Sequence, residues 1–195
     1  MIYYVWPNGD YCEEVMLERY LQTRSDDYES INAENEEDFL DYYDRVVGFR
    51  EGIKWDKRFL FLSEHIASWS KDRSTKVGCV IVGPDKEIRS TGYNGFPRGL
   101  NDDVDARHDR PQKYQYTEHA ERNAIFNALL TGASVRSCTL YCSMFPCSDC
   151  TRAIIQAGIR KVVTRAPDEE LNKWGEDYVY SLEMLGECGV EVKYI

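Results

Sequence analysis

Apolar positions along this chain recur at two different spacings, and the changes of spacing mark its elements. In "DKRFLFLSEHIASWSK", residues 56–71, Phe59, Leu62, Ile66 and Trp69 share one helical stripe, which predicts a helix with a single buried face. "KVGCVIVGPDKEIRSTGY" then alternates around a Pro84-Asp85 turn and predicts an antiparallel hairpin over residues 77–83 and 88–93. A long turn-rich stretch, residues 94–118, leads to a helix from about 118 to 130. Next come a compact apolar strand in "CTLYCS" and a helix in "CSDCTRAIIQA" closed by Gly158. A strand in "IRKVVT", a helix in "WGEDYVYSLEMLGECG" stopped at Gly189 and a last strand in "VEVKYI" complete the chain. Helix and strand alternating in this way predict a three-layer α/β domain.

Before Trp55 the pattern is less regular. "YYVWPNGDY" places extended aromatic residues around an Asn8-Gly9 turn, "CEEVMLERYL" reads as a short helix, and "EEDFLDYYDRVV" lines Phe39, Leu40, Tyr43, Val46 and Val47 along one helical stripe. Residues 1–52 therefore read as an acidic N-terminal extension that packs through its aromatic and aliphatic face, and residues 53–195 as the main domain.

Composition narrows the function classes. At 195 residues and 43% hydrophobic, the chain holds one substantial core and an appendage. No secretory leader or run of eighteen apolar residues is visible, so a soluble cytoplasmic protein without a membrane partner is expected. The net charge of −10 opposes binding to polymeric nucleic acid. It still permits one phosphate to be held by a local arginine or helix N-terminus. Seven cysteines, two of them in a C-x-x-C pair, point to a metal site and scattered core thiols rather than to disulfides.

The chemistry lies in "HAERNAIFNA" and "PCSDC". His119 and Glu121 open one predicted helix; Cys147 and Cys150, three apart, open another. One imidazole and two thiolates suit a tetrahedral zinc, leaving a fourth position for water, and helix N-termini favour the anionic groups. Glu121 is not needed as a ligand and is free to move protons. Each piece alone is weak: a lone histidine is usually structural, and a C-x-x-C pair serves redox chemistry as well. The ordered set, with 25 residues between Glu121 and Cys147, matches the His/Cys/Cys zinc and nonligand glutamate that nucleobase deamination requires.

With these motifs the sequence resembles the deoxycytidylate (dCMP) deaminase family, within the zinc-dependent cytidine deaminase superfamily. The resemblance is carried by "SKDRSTKVGCVIV", "GYNGFPRG", "TEHAERNAI" and "TLYCSMFPCSDCTRAIIQAGIRKVV", and it covers residues 55–195. It implies a cytidine-deaminase-like fold with a mixed central sheet flanked by helices, a homo-oligomer often built from six subunits, and conversion of dCMP to dUMP for thymidylate synthesis. In that reading His119, Cys147 and Cys150 hold zinc, Glu121 is the acid and base, and the Ala120 N–H donates to the base carbonyl. Asn94 corresponds to the family's sugar-contacting asparagine. Arg73, Ser74, Thr75 and Lys76 form a donor-rich turn expected near the substrate phosphate, and Tyr141 and Phe145 are expected to help enclose the pyrimidine. Activation by dCTP with magnesium and inhibition by dTTP would use the glycine-rich loop: Gly95, Arg98, Gly99, Asp102 and Asp103. Three alternatives stay open: a bifunctional dCMP/dCTP deaminase, a related cytidine or tRNA deaminase, and a noncatalytic zinc-binding module.

Overall fold

The computed structural model describes residues 2–5, 11–13, 17, 29–34, 39, 54–165 and 175–195. The chain divides into two compact units, Met1–Trp55 and Asp56–Ile195. In the first, strand β1 (Ile2–Val5) pairs antiparallel with β2 (Tyr11–Glu13) on one side and β3 (Glu29–Asn32) on the other. Buried Tyr3 stacks on Phe39 with ring centroids 3.7 Å apart. Cys12 and Glu13, expected to begin a helix, belong to β2. Strand β3 lies in a stretch of the acidic extension where the sequence pattern predicts no element. The Asn8-Gly9 turn and the Leu40, Tyr43, Val46 and Val47 stripe lie outside the described residues.

Helix α1, residues 54–67, leads into the second unit. Strands β4 (Gly78–Val82), β5 (Ile88–Tyr93), β6 (Thr139–Cys142), β7 (Lys161–Thr164) and β8 (Glu191–Tyr194) form one sheet in the order β5-β4-β6-β7-β8. The β4 pairings are antiparallel, and β6, β7 and β8 run parallel, which makes the sheet mixed. Helices α2 (Lys113–Tyr116), α3 (Ala120–Thr131), α4 (Ser148–Gln156) and α5 (Gly175–Glu187) complete the unit, with a 3-10 turn at Asp105–Arg107. The 94–118 stretch is therefore partly ordered by its own short helices rather than being a plain loop.

Two glycines explain how helices approach the sheet so closely. A Cβ on Gly78 would lie 2.0 Å from the Ser63 carbonyl, and one on Gly92 would lie 2.4 Å from the Ala124 amide. The first seats α1 on one face, the second seats α3 on the other. Buried Cys79, Ile81, Leu140, Cys142, Val162 and Ile154 fill the core beneath α3 and α4. On the opposite face Phe59 packs against Tyr141 with ring centroids 5.1 Å apart. The buried side of α1 is Phe59, Leu60, Ser63, Ile66 and Ala67. Trp69, expected on that stripe, is 52% exposed because the helix has already ended. Asp56, 7% exposed, accepts from the Tyr141 hydroxyl and from the Lys193 ammonium, each at 2.7 Å, and links α1 to β6 and β8.

Candidate metal centre and active site

Two helix starts meet above the sheet. His119 is the extended N-cap residue of α3 (φ −78°, ψ 155°) and Cys147 that of α4 (φ −70°, ψ 169°); neither side chain caps its own helix. Both are thereby left to face each other. His119 Nδ1 lies 3.4 Å from Cys147 Sγ and 3.5 Å from Cys150 Sγ. A tetrahedral zinc with ordinary Zn–S and Zn–N bonds would separate such a pair by about 3.6 Å. The three ligand atoms lie within 4.8 Å of one another, and they are the one such metal-capable group among the described residues. The donor set thus fits zinc in number, type and spacing.

Electrostatics agree with a site built for a cation. The Cys150 thiol and the His119 ring hydrogen-bond Cys147 and hold its thiol down at about 4 despite burial. The same Cys147 contact, followed by burial, raises Cys150. The hydrogen bond to Cys147 raises His119 as well, although burial opposes it. The lowered Cys147 thiol gives the site an anionic ligand beside two further donors, a set that suits a divalent ion. Glu121, 4% exposed, stands in the first turn of α3, two residues after His119. Burial pushes its carboxyl up, with its own backbone N–H and His119 pulling it partly back. A carboxylate whose proton affinity is raised by burial suits proton transfer. Ala120 is fully buried as the first helical residue, and its N–H is one of those a helix cannot satisfy internally.

The comparisons with known proteins bear directly on this geometry. Residues 53–166 match the family model for the cytidine and deoxycytidylate deaminase zinc-binding region. The chain belongs to that deaminase family. An uncharacterized deaminase from the luxG 3' region of Aliivibrio fischeri is 42% identical over 143 residues, 73% of this chain and 94% of that protein. Mouse deoxycytidylate deaminase is 40% identical over 116 residues, covering 57% of this chain and 64% of its own length. The crystal structure of dCMP deaminase from the cyanophage S-TIM5, in complex with dCMP and dUMP, superposes with a TM-score of 0.59 at 26% identity, over 73% of this chain and 97% of that one. A zinc-binding deaminase region thus spans residues 53–166, and the His/Cys/Cys set within it is consistent with zinc binding.

Around the deaminase centre the remaining predicted residues divide. Phe145 is half-buried and packs on Tyr178, 4.7 Å between centroids, beside the metal-bearing turn. Tyr141 is not brought to the site. Alternation along β6 sends it to the α1 face, opposite Cys142, and its hydroxyl is spent on Asp56. Asn94 is 6% exposed and fully engaged: its Oδ1 accepts from the Val77 N–H at 2.8 Å and its Nδ2 donates to the Thr75 carbonyl at 2.8 Å. The donor-rich turn is closed by a carboxylate that the sequence reading missed. Asp72 accepts from the N–H groups of Ser74 (2.8 Å) and Thr75 (3.0 Å), and Lys113 completes it with a 2.8 Å ion pair. Burial raises the Asp72 carboxyl, but Lys113 and the two amides outweigh that and hold it at about 2. Arg73 pairs with Asp105, and Lys76 is exposed.

The glycine-rich loop forms one wall of a separate cavity of about 310 Å³, walled elsewhere by Trp69, Tyr93, Phe96, Lys113, Asn123 and Asn127. Gly95, Arg98 and Asp102 line it; Gly99 and Asp103 do not. Gly95 forms a two-bond bridge with Glu118, directly before His119. Arg98 donates to Asn127, and Lys71 holds Asp102 at 2.7 Å. Gly99 takes a left-handed φ of 86°, the turn geometry its residue type suits. Asp103 donates its N–H to Asn101 at 2.9 Å.

Proposed function

We propose that the protein hydrolyses dCMP to dUMP with release of ammonia, supplying dUMP for thymidylate synthesis in the cytoplasm. The observation that carries this reading is the buried Glu121 beside the His119, Cys147 and Cys150 triad, joined to the likeness to a phage dCMP deaminase bound to dCMP and dUMP. Zinc, when held by the triad, supplies Lewis acidity that lowers the pKa of water from 15.7 toward about 7. Glu121 takes a proton from the attacking water and gives it to N3 of cytosine, which makes C4 electrophilic. The same carboxylate then takes the proton of the new C4 hydroxyl and passes it to the 4-amino group, so that the C4–N bond breaks, ammonia departs and the uracil carbonyl forms. The Ala120 N–H donates to the base carbonyl and fixes the ring. Asn94 and the Phe145 ring border the nucleoside, and the exposed cations Arg73 and Lys76 serve the phosphate.

A parallel assay of deoxycytidine, dCMP, dCTP, CMP and tRNA tests the substrate. Losing a charge-assisted phosphate contact costs about 1.5 to 3 kcal/mol, roughly ten- to more than a hundredfold. We expect dCMP to exceed deoxycytidine by that factor in kcat/KM, and tRNA to be inert. Equal efficiencies for nucleoside and nucleotide would refute the nucleotide reading and leave the proton-transfer scheme standing. Turnover of dCTP in the same panel would mark the bifunctional variant.

Regulation is proposed at the cavity behind the glycine-rich loop, with dCTP and magnesium activating and dTTP inhibiting. Arg98 offers a cation to a triphosphate, Asp102 a carboxylate to its magnesium, and the Gly95–Glu118 bridge adjoins His119. Saturation curves for dCMP should shift with either effector, and Arg98→Ala should weaken the shift at least several-fold; superimposable curves would exclude the site. A homo-oligomer, of six subunits in the family's manner, is supported by the outer face of α3, where Leu129 and Leu130 are 75% and 69% exposed.

A further inference from the structure

Helix α3 is fixed to the edge of the sheet by a pair of asparagines. Among the described residues strand β5 is an edge strand, paired on one side only, with β4. The Gly78 carbonyl accepts from the Ser143 N–H at 3.0 Å, which faces it toward β6. Backbone groups alternate sides along a strand, so Cys79 and Ile81 face β5 and meet Gly92 and Ser90. Thr91 and Tyr93 therefore turn their carbonyls outward, on the side where no strand among the described residues pairs with β5. Asn127 Nδ2 donates to the first at 2.7 Å and Asn123 Nδ2 to the second at 2.8 Å. Four residues of helix advance about 6.0 Å and two of strand about 6.8 Å, so residues one helical turn apart match alternate strand carbonyls.

Two further contacts share this helix stripe. Ser90 Oγ donates to the Ala124 carbonyl at 2.7 Å, and Gly92 admits the backbone of Ala120 and Ala124 against its Cα. Positions 120, 123, 124 and 127 follow the i, i+3, i+4, i+7 spacing of one face. They set both the height and the rotation of α3. Glu121 lies about 100° round the helix from Ala120, so a small turn or slide of the clamped face moves its carboxylate and the His119 ring together.

We infer that Asn123 and Asn127 are positioning residues for the deamination, holding α3 in register on the outward carbonyls of β5 and thereby setting Glu121 against the metal ligands. The inference rests on the functional reading above, since Glu121 must be the proton carrier for its placement to matter. Misplacing a reacting group by about 1 Å costs as much as a hundredfold in rate. Aspartate at either position keeps the shape of asparagine and loses the N–H donor.

The test uses the full-length, zinc-loaded protein and compares wild type, N123D, N127D, the double variant, N127Q and V162A. Val162 is a fully buried residue of the core beneath α3 and α4, on β7 and apart from β5 in the sheet, and its truncation reports what lost core packing does while both asparagine contacts stay in place. We expect kcat to fall ten- to a hundredfold in N123D/N127D, with KM for dCMP changed less than about threefold and one zinc per chain retained. N127Q, which keeps an amide donor, should recover part of the turnover. Amide hydrogen exchange in the first turns of α3, including the Asn123 N–H bound to the His119 carbonyl at 2.9 Å, should quicken at least tenfold in the double variant and not in V162A. If the double variant does not fold, the single variants carry the same comparison. A kcat within twofold of wild type in the aspartate variants, or an equal loss in V162A, would overturn the inference. Zinc-loaded wild type inert toward deoxycytidine, dCMP and dCTP would instead refute the functional reading, and unchanged α3 exchange in the aspartate variants would then overturn the clamp separately.

Discussion

Glu121→Gln lowers turnover of dCMP by at least about a hundredfold while zinc content and substrate affinity stay near wild type; that is the result expected from steady-state kinetics and metal analysis run side by side. Glutamine preserves the volume of the buried side chain and removes its ability to take and return a proton. A positioned acid or base contributes about 10² to 10⁴, and here one carboxylate serves both transfers, so the loss should sit toward the upper part of that range. The raised proton affinity that burial gives Glu121 also predicts the pH profile. Because its pKa lies above that of an ordinary carboxyl, the acid limb of kcat/KM should fall at a higher pH than a solvent-exposed glutamate would give, and that limb should vanish in the variant. Near-normal turnover in E121Q would remove the residue from the chemistry.

Stripping the metal should abolish activity. Elemental analysis of fresh protein is expected to give one zinc per chain, and exhaustive chelation or Cys150→Ser to reduce turnover at least about a thousandfold, the factor that several kcal/mol of lost charge stabilisation represents. The same treatments should lower Tm, because the ligands come from two separate helices whose approach leaves closely packed thiols when no ion neutralises them. Full activity after demonstrated removal of zinc would exclude the metal-dependent scheme.

The sequence made some of this legible and concealed the rest for identifiable reasons. Spacing announced the hairpin at β4 and β5, the helix starts at His119 and Cys147 and the stop at Gly189, because each depends on residues near one another in the chain. The inner face of α3 was harder to read. Its buried residues are the small Ala120, Ala124 and Ala128, while Leu129 and Leu130 point outward. Close seating on Gly92 leaves room only for alanine beneath the helix, so the usual association of large apolar residues with burial runs backwards there. Tyr141 was misplaced for a related reason: period-two alternation divides β6 into two faces without saying which of them meets the site. Asp72 and Lys113 are 41 positions apart, and nothing local in "SKDRSTK" announces the lysine that closes its turn. The Asn123 and Asn127 spacing was visible, but its meaning required knowing that β5 lies at an edge.

The Asp56 clasp has a consequence for the architecture of longer chains. The deaminase unit starts at Asp56, and that residue's carboxylate is bonded to Lys193 of the last strand. Polypeptide entering the unit and polypeptide leaving it therefore do so within a side chain's reach of each other. A unit with neighbouring entry and exit points can be spliced into a host chain, or carry new segments at either end, without either flank having to traverse the sheet or disturb the metal-bearing helix starts.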